Sequence, residues 1–156
     1  MSRVRAVEPW IEDPLVRFVT EAGARLTLIM TPSGQVLAQH GFTRAVDVMA
    51  AAALGAAIVS STREIATTIG EETFRALNHQ GIQHGIFLAE MATPRGPLLA
   101  LVVYGPESSV GLVQLFYEDL VQELVAACPD EEPTKPVIAA DFERDLHNSL
   151  AFLFGR

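Results

Sequence analysis

Cysteine and charge are both scarce in this 156-residue chain, and each shortage excludes something. With Cys128 alone, no internal disulfide framework exists, so packing must hold the fold, and a reducing cytosolic compartment suits it. Charged residues make up only 19%, and acidic groups outnumber basic ones 19 to 11, for a net charge of −8. That balance argues against a general affinity for nucleic acid or an anionic membrane surface. Residues 1–9 carry charges with no apolar run behind them, so no signal peptide is expected and the chain reads as cytoplasmic. The stretch nearly free of charge, 48–62, falls short of a membrane span.

Chemistry is also missing. GPESSVG at 105–111 lacks the lysine of a phosphate-binding loop and the spacing of a dinucleotide fingerprint, and an ordinary helix cap explains it. No serine stands in a nucleophile elbow, and Cys128 beside Pro129 in an acidic stretch has no activating base. His79 and His84 flank a turn, as HQGIQH, but a metal site needs further ligands and none is suggested nearby. They read as strand-end histidines. The expectation is therefore no catalytic residue, no metal, no cofactor and no nucleotide bound by this chain itself.

What the chain has is apolar surface. Hydrophobic residues reach 49% and mean hydropathy is +0.27, which for a soluble protein points to surface covered by association. Much of it lies in one stretch, TRAVDVMAAAALGAAIVSSTREIATTIG at 43–70. It reads as one helix, with Thr43 as N-cap and Gly70 just past the end. Leu54, Ile58, Ile65 and Ile69 fall on one line at helical spacing, a stripe suited to lying on a sheet. Half a turn away come Met49, Ala52, Ala53, Ala56, Ser60 and Arg63, mostly small residues that let another backbone approach. A chain of this length has little left to cover that side, so these six are assigned to a dimer or partner contact. Arg63 could act as an arginine finger toward a nucleotide-binding partner. A rim ion pair or orienting contact is the reading adopted.

The rest of the chain falls around that helix. Asp13-Pro14 starts a helix that carries Leu15, Phe18, Val19 and Ala22 and ends at Gly23. Strands are predicted over 25–30 and 35–40 around the turn TPSG, then over 73–79, 84–91 and 98–104, with a proline-interrupted loop at 91–97. LLALVVY, 98–104, is the most hydrophobic strand and should be central. After GPESS, Val113, Phe116, Tyr117, Leu120, Val121, Leu124 and Val125 form the cleanest amphipathic helix. A last helix over 141–154 carries Phe142, Leu146, Leu150 and Leu153 on one face, a stripe assigned to docking on the body or a partner. The expected architecture is α+β: a five-stranded antiparallel sheet sandwiched between helices, plus a C-terminal helix. The domain should span 10–127, an acidic Pro-rich linker 128–136, and a C-terminal regulatory helix 137–156.

In this order the elements resemble the Roadblock/dynein light chain family, and within it the bacterial gliding-protein branch. The resemblance is carried by LTLIMTPSGQVLAQHG (26–41), the Ala-rich helix ending IGEETF (69–74), HQGIQHGIFLAEM (79–91) and PLLALVVY (97–104). For the branch it rests on GEETF followed by HQG, and on the linker with the final DLHNSLAFLFGR. It implies a homodimer, with paired long helices over a sheet continued through both subunits. It also implies a partner, the GTP-bound form of an MglA-like Ras-type small GTPase, in the setting of cell polarity and gliding motility. Such regulators stimulate GTP hydrolysis by holding the switch regions, while the GTPase supplies its own catalytic arginine and glutamine. The C-terminal helix is implied to act on nucleotide exchange. A Roadblock scaffold without effect on turnover, and a ligand-sensing domain of the PAS or GAF kind, remain as alternatives.

Overall fold

The computed structural model describes residues 3–129 and 136–153. Its elements run β1 (Arg5–Ala6), α1 (Pro9–Ala22), β2 (Ala24–Met30), β3 (Val36–His40), α2 (Ala45–Ile69), β4 (Ala76–Gln80), β5 (Gly85–Thr93), β6 (Gly96–Tyr104), α3 (Val110–Ala127) and α4 (Pro136–Leu153). The sheet has six strands in the order β1-β3-β2-β6-β5-β4, and every neighbouring pair is antiparallel. Five strands follow the expected pattern. The sixth, β1, is a two-residue addition paired with β3, too short to leave a periodic signal.

LLALVVY lies in the middle, between β2 and β5, as its hydrophobicity requires. Alternation divides its side chains. Ala100, Val102 and Tyr104 join Ile29, Phe87, Ala89 and Met91 against α1 and α3, whose Ile11, Leu15, Phe18, Val113, Leu120 and Leu124 complete the larger core. Leu99 and Leu101 join Leu28, Met30 and Leu88 on the opposite face, under α2. Arg17 of α1 also donates to Glu123 of α3 at 2.7 and 2.9 Å, which ties the two helices at the surface.

Several boundaries differ from the sequence reading. α1 begins at Pro9 with Glu8 as N-cap, not at Asp13, and Pro14 stands inside the helix. The added turn buries Ile11 completely. That burial supplies about 1.5–3 kcal/mol, which offsets much of the ~3 kcal/mol a proline inside a helix costs. Arg44, not Thr43, caps α2, and makes no side-chain capping bond, whereas Gly70 takes the left-handed conformation at the other end. The expected loop at 91–97 shrinks to a tight turn, because Thr93 donates through Oγ1 to the Gly96 carbonyl at 2.6 Å and Gly96 accepts φ of 109°. β4 starts at Ala76, three residues later than 73. α4 starts at Pro136 rather than 141. Most of the expected linker, 130–135, lies outside the described residues.

The larger correction concerns which side of α2 meets the sheet. Val48, Ala52, Gly55 and Ala66 are its buried residues, and Ala51, Ala56 and Val59 pack beside them. A Cβ on Gly55 would come within 2.9 Å of Met30 Cε, so the helix lies close to the strands and small residues line the contact. Leu54, Ile58, Ile65 and Ile69, expected on the sheet, face outward. By length and composition α2 would also suffice to cross a membrane, which the charge-free run alone did not suggest. Its seat on Leu28, Met30, Leu88 and Leu99 instead makes it a layer of the domain.

One close contact fixes the β4–β5–β6 end. Tyr104 lies over Gly85, and its hydroxyl is shared between Asn78 Oδ1 at 2.9 Å and Gln80 Oε1 at 3.1 Å. A methyl group at Gly85 would occupy the place of the Tyr104 ring. Gly85→Ala should therefore lower stability by roughly 1–3 kcal/mol, read as a shift in the urea midpoint. Gly111→Ala, an exposed helical position with only Ser109 Oγ nearby at 3.8 Å, should be neutral or stabilising.

Candidate interaction surface

With the sheet side settled, α2 presents two exposed flanks, each roughly a quarter turn from the line of contact. One carries Leu54, Ile58, Ile65 and Ile69, of which Leu54 is 65% and Ile69 64% exposed. The other carries Met49, Ala53, Ser60 and Arg63, with Met49 72% exposed. Of the six residues assigned to a contact from sequence, these four are open to solvent. Ala52 is not: it is 1% exposed and seated on the sheet. Ala56 is half-buried beside Gly34 of the β2–β3 turn. Both are small because the sheet or its turn is close, so neither belongs to the outer surface.

Further apolar side chains are exposed at the β4–β5 end of the sheet. Ile86 projects from β5 on the α2 face and is exposed, Ile82 is fully exposed at the β4–β5 turn, and Phe74 stands open before β4. β4 itself is the last strand of the sheet and mostly exposed. Its sequence, ALNHQ, has neither the lysine nor the proline that commonly blunts an edge. Between α2 and β4 runs a groove lined by Ile58, Thr62, Arg63, Phe74, Leu77 and Glu90. Arg63 crosses it to donate to the Glu90 carboxylate. Both partners are partly solvated, so the pair is of the surface kind, about 0–1 kcal/mol. The Arg63 guanidinium thus has a carboxylate partner within its own domain.

The other chemical candidates are accounted for locally. Ser109 caps α3, accepting from the Leu112 N–H at 3.2 Å. Cys128 is buried at the end of the same helix. Arg25 donates to both oxygens of Glu107, at 2.6 and 2.9 Å, and to His84 Nε2 at 2.8 Å. That pairing holds the Glu107 carboxyl below its usual range. His84 is thus engaged with Arg25, while His79 is exposed on β4. Burial lowers the pKa of His40 and raises that of the Tyr117 hydroxyl. Among the described residues no three His, Cys, Asp or Glu side chains come together as a metal cluster.

In α4, Leu146, Leu150 and Leu153 are exposed, as is Phe152. The Phe142 side chain lies outside the described residues. From sequence the Leu/Ile flank is assigned to the sheet, the β4–β5 turn is given no surface role, and Glu90 is not singled out. Gly55 was the available signal, since a glycine among alanines marks the side where a helix is approached most closely.

Comparison with known families matches residues 11–103 to the Roadblock/LC7 domain. The chain belongs to the Roadblock/LC7 family. No curated protein matches it by sequence. Among solved structures, Myxococcus xanthus MglB is similar with a TM-score of 0.68 at 23% identity, over 77% of this chain and 95% of that one. The gliding protein MglB of Thermus thermophilus gives 0.66 at 24% identity, over 76% and 87%. A Roadblock/LC7 domain from Streptomyces avermitilis gives 0.61 at 17%, over 70% and 89%. These likenesses establish the Roadblock fold, and family membership displaces the PAS or GAF alternative.

For this Roadblock domain the two sides of α2 should respond oppositely to a carboxylate. Ala52→Glu would bury an unpaired charge, at a cost of several kcal/mol, and should abolish the cooperative unfolding transition. Leu54→Glu should keep the folded near-ultraviolet circular dichroism spectrum, with monomer stability changed by about 0.5 kcal/mol or less. The reverse result would return the Leu/Ile stripe to the sheet.

Proposed function

We propose that this Roadblock protein is a cytoplasmic homodimer that regulates a Ras-type small GTPase of the MglA kind, in polarity or gliding motility. The observation that carries the reading is the row of outward aliphatic side chains on α2 beside the free β4 edge. An exposed apolar stripe next to an unblunted strand edge is the form of a protein contact. A second copy would continue the sheet across β4 and cover Leu54, Ile58, Ile65 and Ile69 with their own equivalents. Met49, Ala53, Ser60 and Arg63 would then remain for the GTPase. The likeness to MglB structures supports this reading, as does one described as MglB with a tetrameric arrangement.

On this reading the regulator contributes position rather than chemistry. It binds the GTP form and holds the switch segments so that the GTPase's own groups reach the transition state. Positioning of such groups is worth on the order of 10³ in rate. Addition of this protein should accelerate single-turnover GTP hydrolysis by its GTPase, and Leu54→Glu, as a monomer, should lose the effect. Arg63→Ala should raise the half-saturating concentration by no more than about five-fold, the loss of a surface ion pair, and leave the saturated rate unchanged. A collapse of the saturated rate by ~10³ would make Arg63 a finger. Binding without acceleration would favour the scaffold reading.

The C-terminal helix is assigned to the partner as well, with Phe142, Leu146, Leu150 and Leu153 as its contact stripe. At 18 residues α4 is only a little beyond the length at which an isolated helix is marginal in water, ~12–15 residues. Its exposed leucines gain most when covered. Removing residues 137–156 should leave dimer and urea midpoint nearly unchanged while weakening the complex or altering nucleotide exchange. Unfolding on deletion would make the helix part of the core, and unchanged affinity, exchange and hydrolysis would end its regulatory assignment.

A further inference from the structure

β4 stops pairing at Ala76, opposite Ala89, but β5 runs on to Thr93 with β6 still paired along its other side. The outer edge of β5 at residues 90–92 therefore has no strand beside it, and among the described residues no other backbone group bonds to it. Thr73, Phe74 and Arg75 pass alongside without joining. They line one groove with Arg63 and Glu90 under α2, and a second with Met91, Tyr117 and Val121 beside α3. The sequence alternation nevertheless reads as strand from residue 73.

Continuing the register of β4 on β5 by three residues sets Arg75 opposite Glu90, Phe74 opposite Met91 and Thr73 opposite Ala92. The match is good at each step. Arg75 and Glu90 are opposite charges on the α2 face, and cross-strand pairs of that kind are stabilising. Phe74, exposed here, would come over Met91 on the side of Tyr117 and Val121. Thr73 is β-branched and suits a strand. Among the described residues Arg75 makes no ion pair, whereas Glu90 is held by Arg63.

We propose that residues 73–75 are a strap with two positions, and that Arg63 and Arg75 compete for Glu90 to select between them. In the open position, the one described here, Arg63 takes Glu90 and β4 ends at Ala76. In the closed position Arg75 takes Glu90 across the strands, Phe74 fills the groove beside α3, and the backbone completes the edge of β5. Two guanidinium groups on one carboxylate leave a positive charge uncompensated, so occupancy by Arg63 weakens closure. The strap is tethered to this edge at Ala76, and so is present at an effective concentration that a separate peptide strand rarely reaches. Anything that draws Arg63 away would lengthen β4, which couples the α2 flank to the free edge. Only that last step rests on the proposed function.

Hydrogen exchange read by mass spectrometry on the full chain, without any partner, tests the strap. Arg63 is exposed on a helix, so Arg63→Ala keeps the fold. It should slow exchange of the amides at 73–75 and 90–92 by about 2- to 5-fold, the shift an opposite-charge cross-strand pair supplies. Adding Arg75→Ala should restore wild-type exchange or exceed it. Unchanged or faster exchange in Arg63→Ala overturns the proposal, and so does slowing that survives Arg75→Ala. Neither result depends on whether a GTPase is the partner.

Discussion

The backbone of α2 lies so close to the sheet at Gly55 that a methyl group there would press on Met30. That approach decides what each side of the helix carries. Val48, Ala52, Gly55 and Ala66 face the strands because larger side chains would lift the helix off them. The helix's large aliphatic residues must then stand elsewhere, and Leu54, Ile58, Ile65 and Ile69 stand in solvent. The apolar composition and the open surface thus have one origin. A helix buried on a narrow line of small residues leaves most of its circumference uncovered.

The two faces of the sheet are built differently for the same reason. α1 and α3 lie side by side and cover their face with full-sized residues, among them Ile11, Leu15, Phe18, Leu120 and Leu124. Among the described residues α2 is the helix that covers the other face, and the strands farthest from its start, β4 and β5, keep exposed residues there, Ile86 among them. The larger core holds the domain together, and the smaller one holds a surface in place. Tyr104, reaching over Gly85 to Asn78 and Gln80, secures the outer strands from the α1/α3 side and leaves the α2 side of β4 open.

Legibility from sequence followed the scale of each feature. The unbroken apolar run LLALVVY and the repeat from Val113 to Val125 mark a central strand and an amphipathic helix, because burial on both faces of a strand and one-sided burial of a helix each leave a pattern that many residues share. The glycine ends of α1 and α2 were legible because only the left-handed region closes those helices without strain. The facing of α2 was not. Its apolar residues surround it, so periodicity offers two answers, and size alone favours the larger residues as the buried ones. Close approach reversed that order, a tertiary constraint that Gly55 alone signalled. The start of α1 was hidden because the Asp-Pro pair is a good local start, and burial of Ile11 overrode it. Of the six residues assigned to a contact from sequence, Met49, Ala53, Ser60 and Arg63 lie on the outside, whereas Ala52 sits on the sheet and Ala56 beside the β2–β3 turn, which follows from the same reversal.

The balance of forces on that outside surface decides what kind of contact it makes. Arg63 and Glu90 form an ion pair on it, and a solvated pair supplies about 0–1 kcal/mol. Covering one fully exposed Leu or Ile side chain is worth about 1.5–3 kcal/mol, and α2 offers four in a row, each with about half of its surface still to cover. On the proposed reading, association would therefore be driven by the aliphatic flank, with the charges setting orientation. The free edge of β4 adds direction, since backbone pairing fixes a strand's polarity and register in a way that aliphatic contact does not. In the homodimer proposed above, a self-complementary copy would lie along the Leu/Ile flank, where each aliphatic row would meet its equivalent. The smaller, more polar flank of Met49, Ala53, Ser60 and Arg63 would then be left for the proposed partner, which comes and goes.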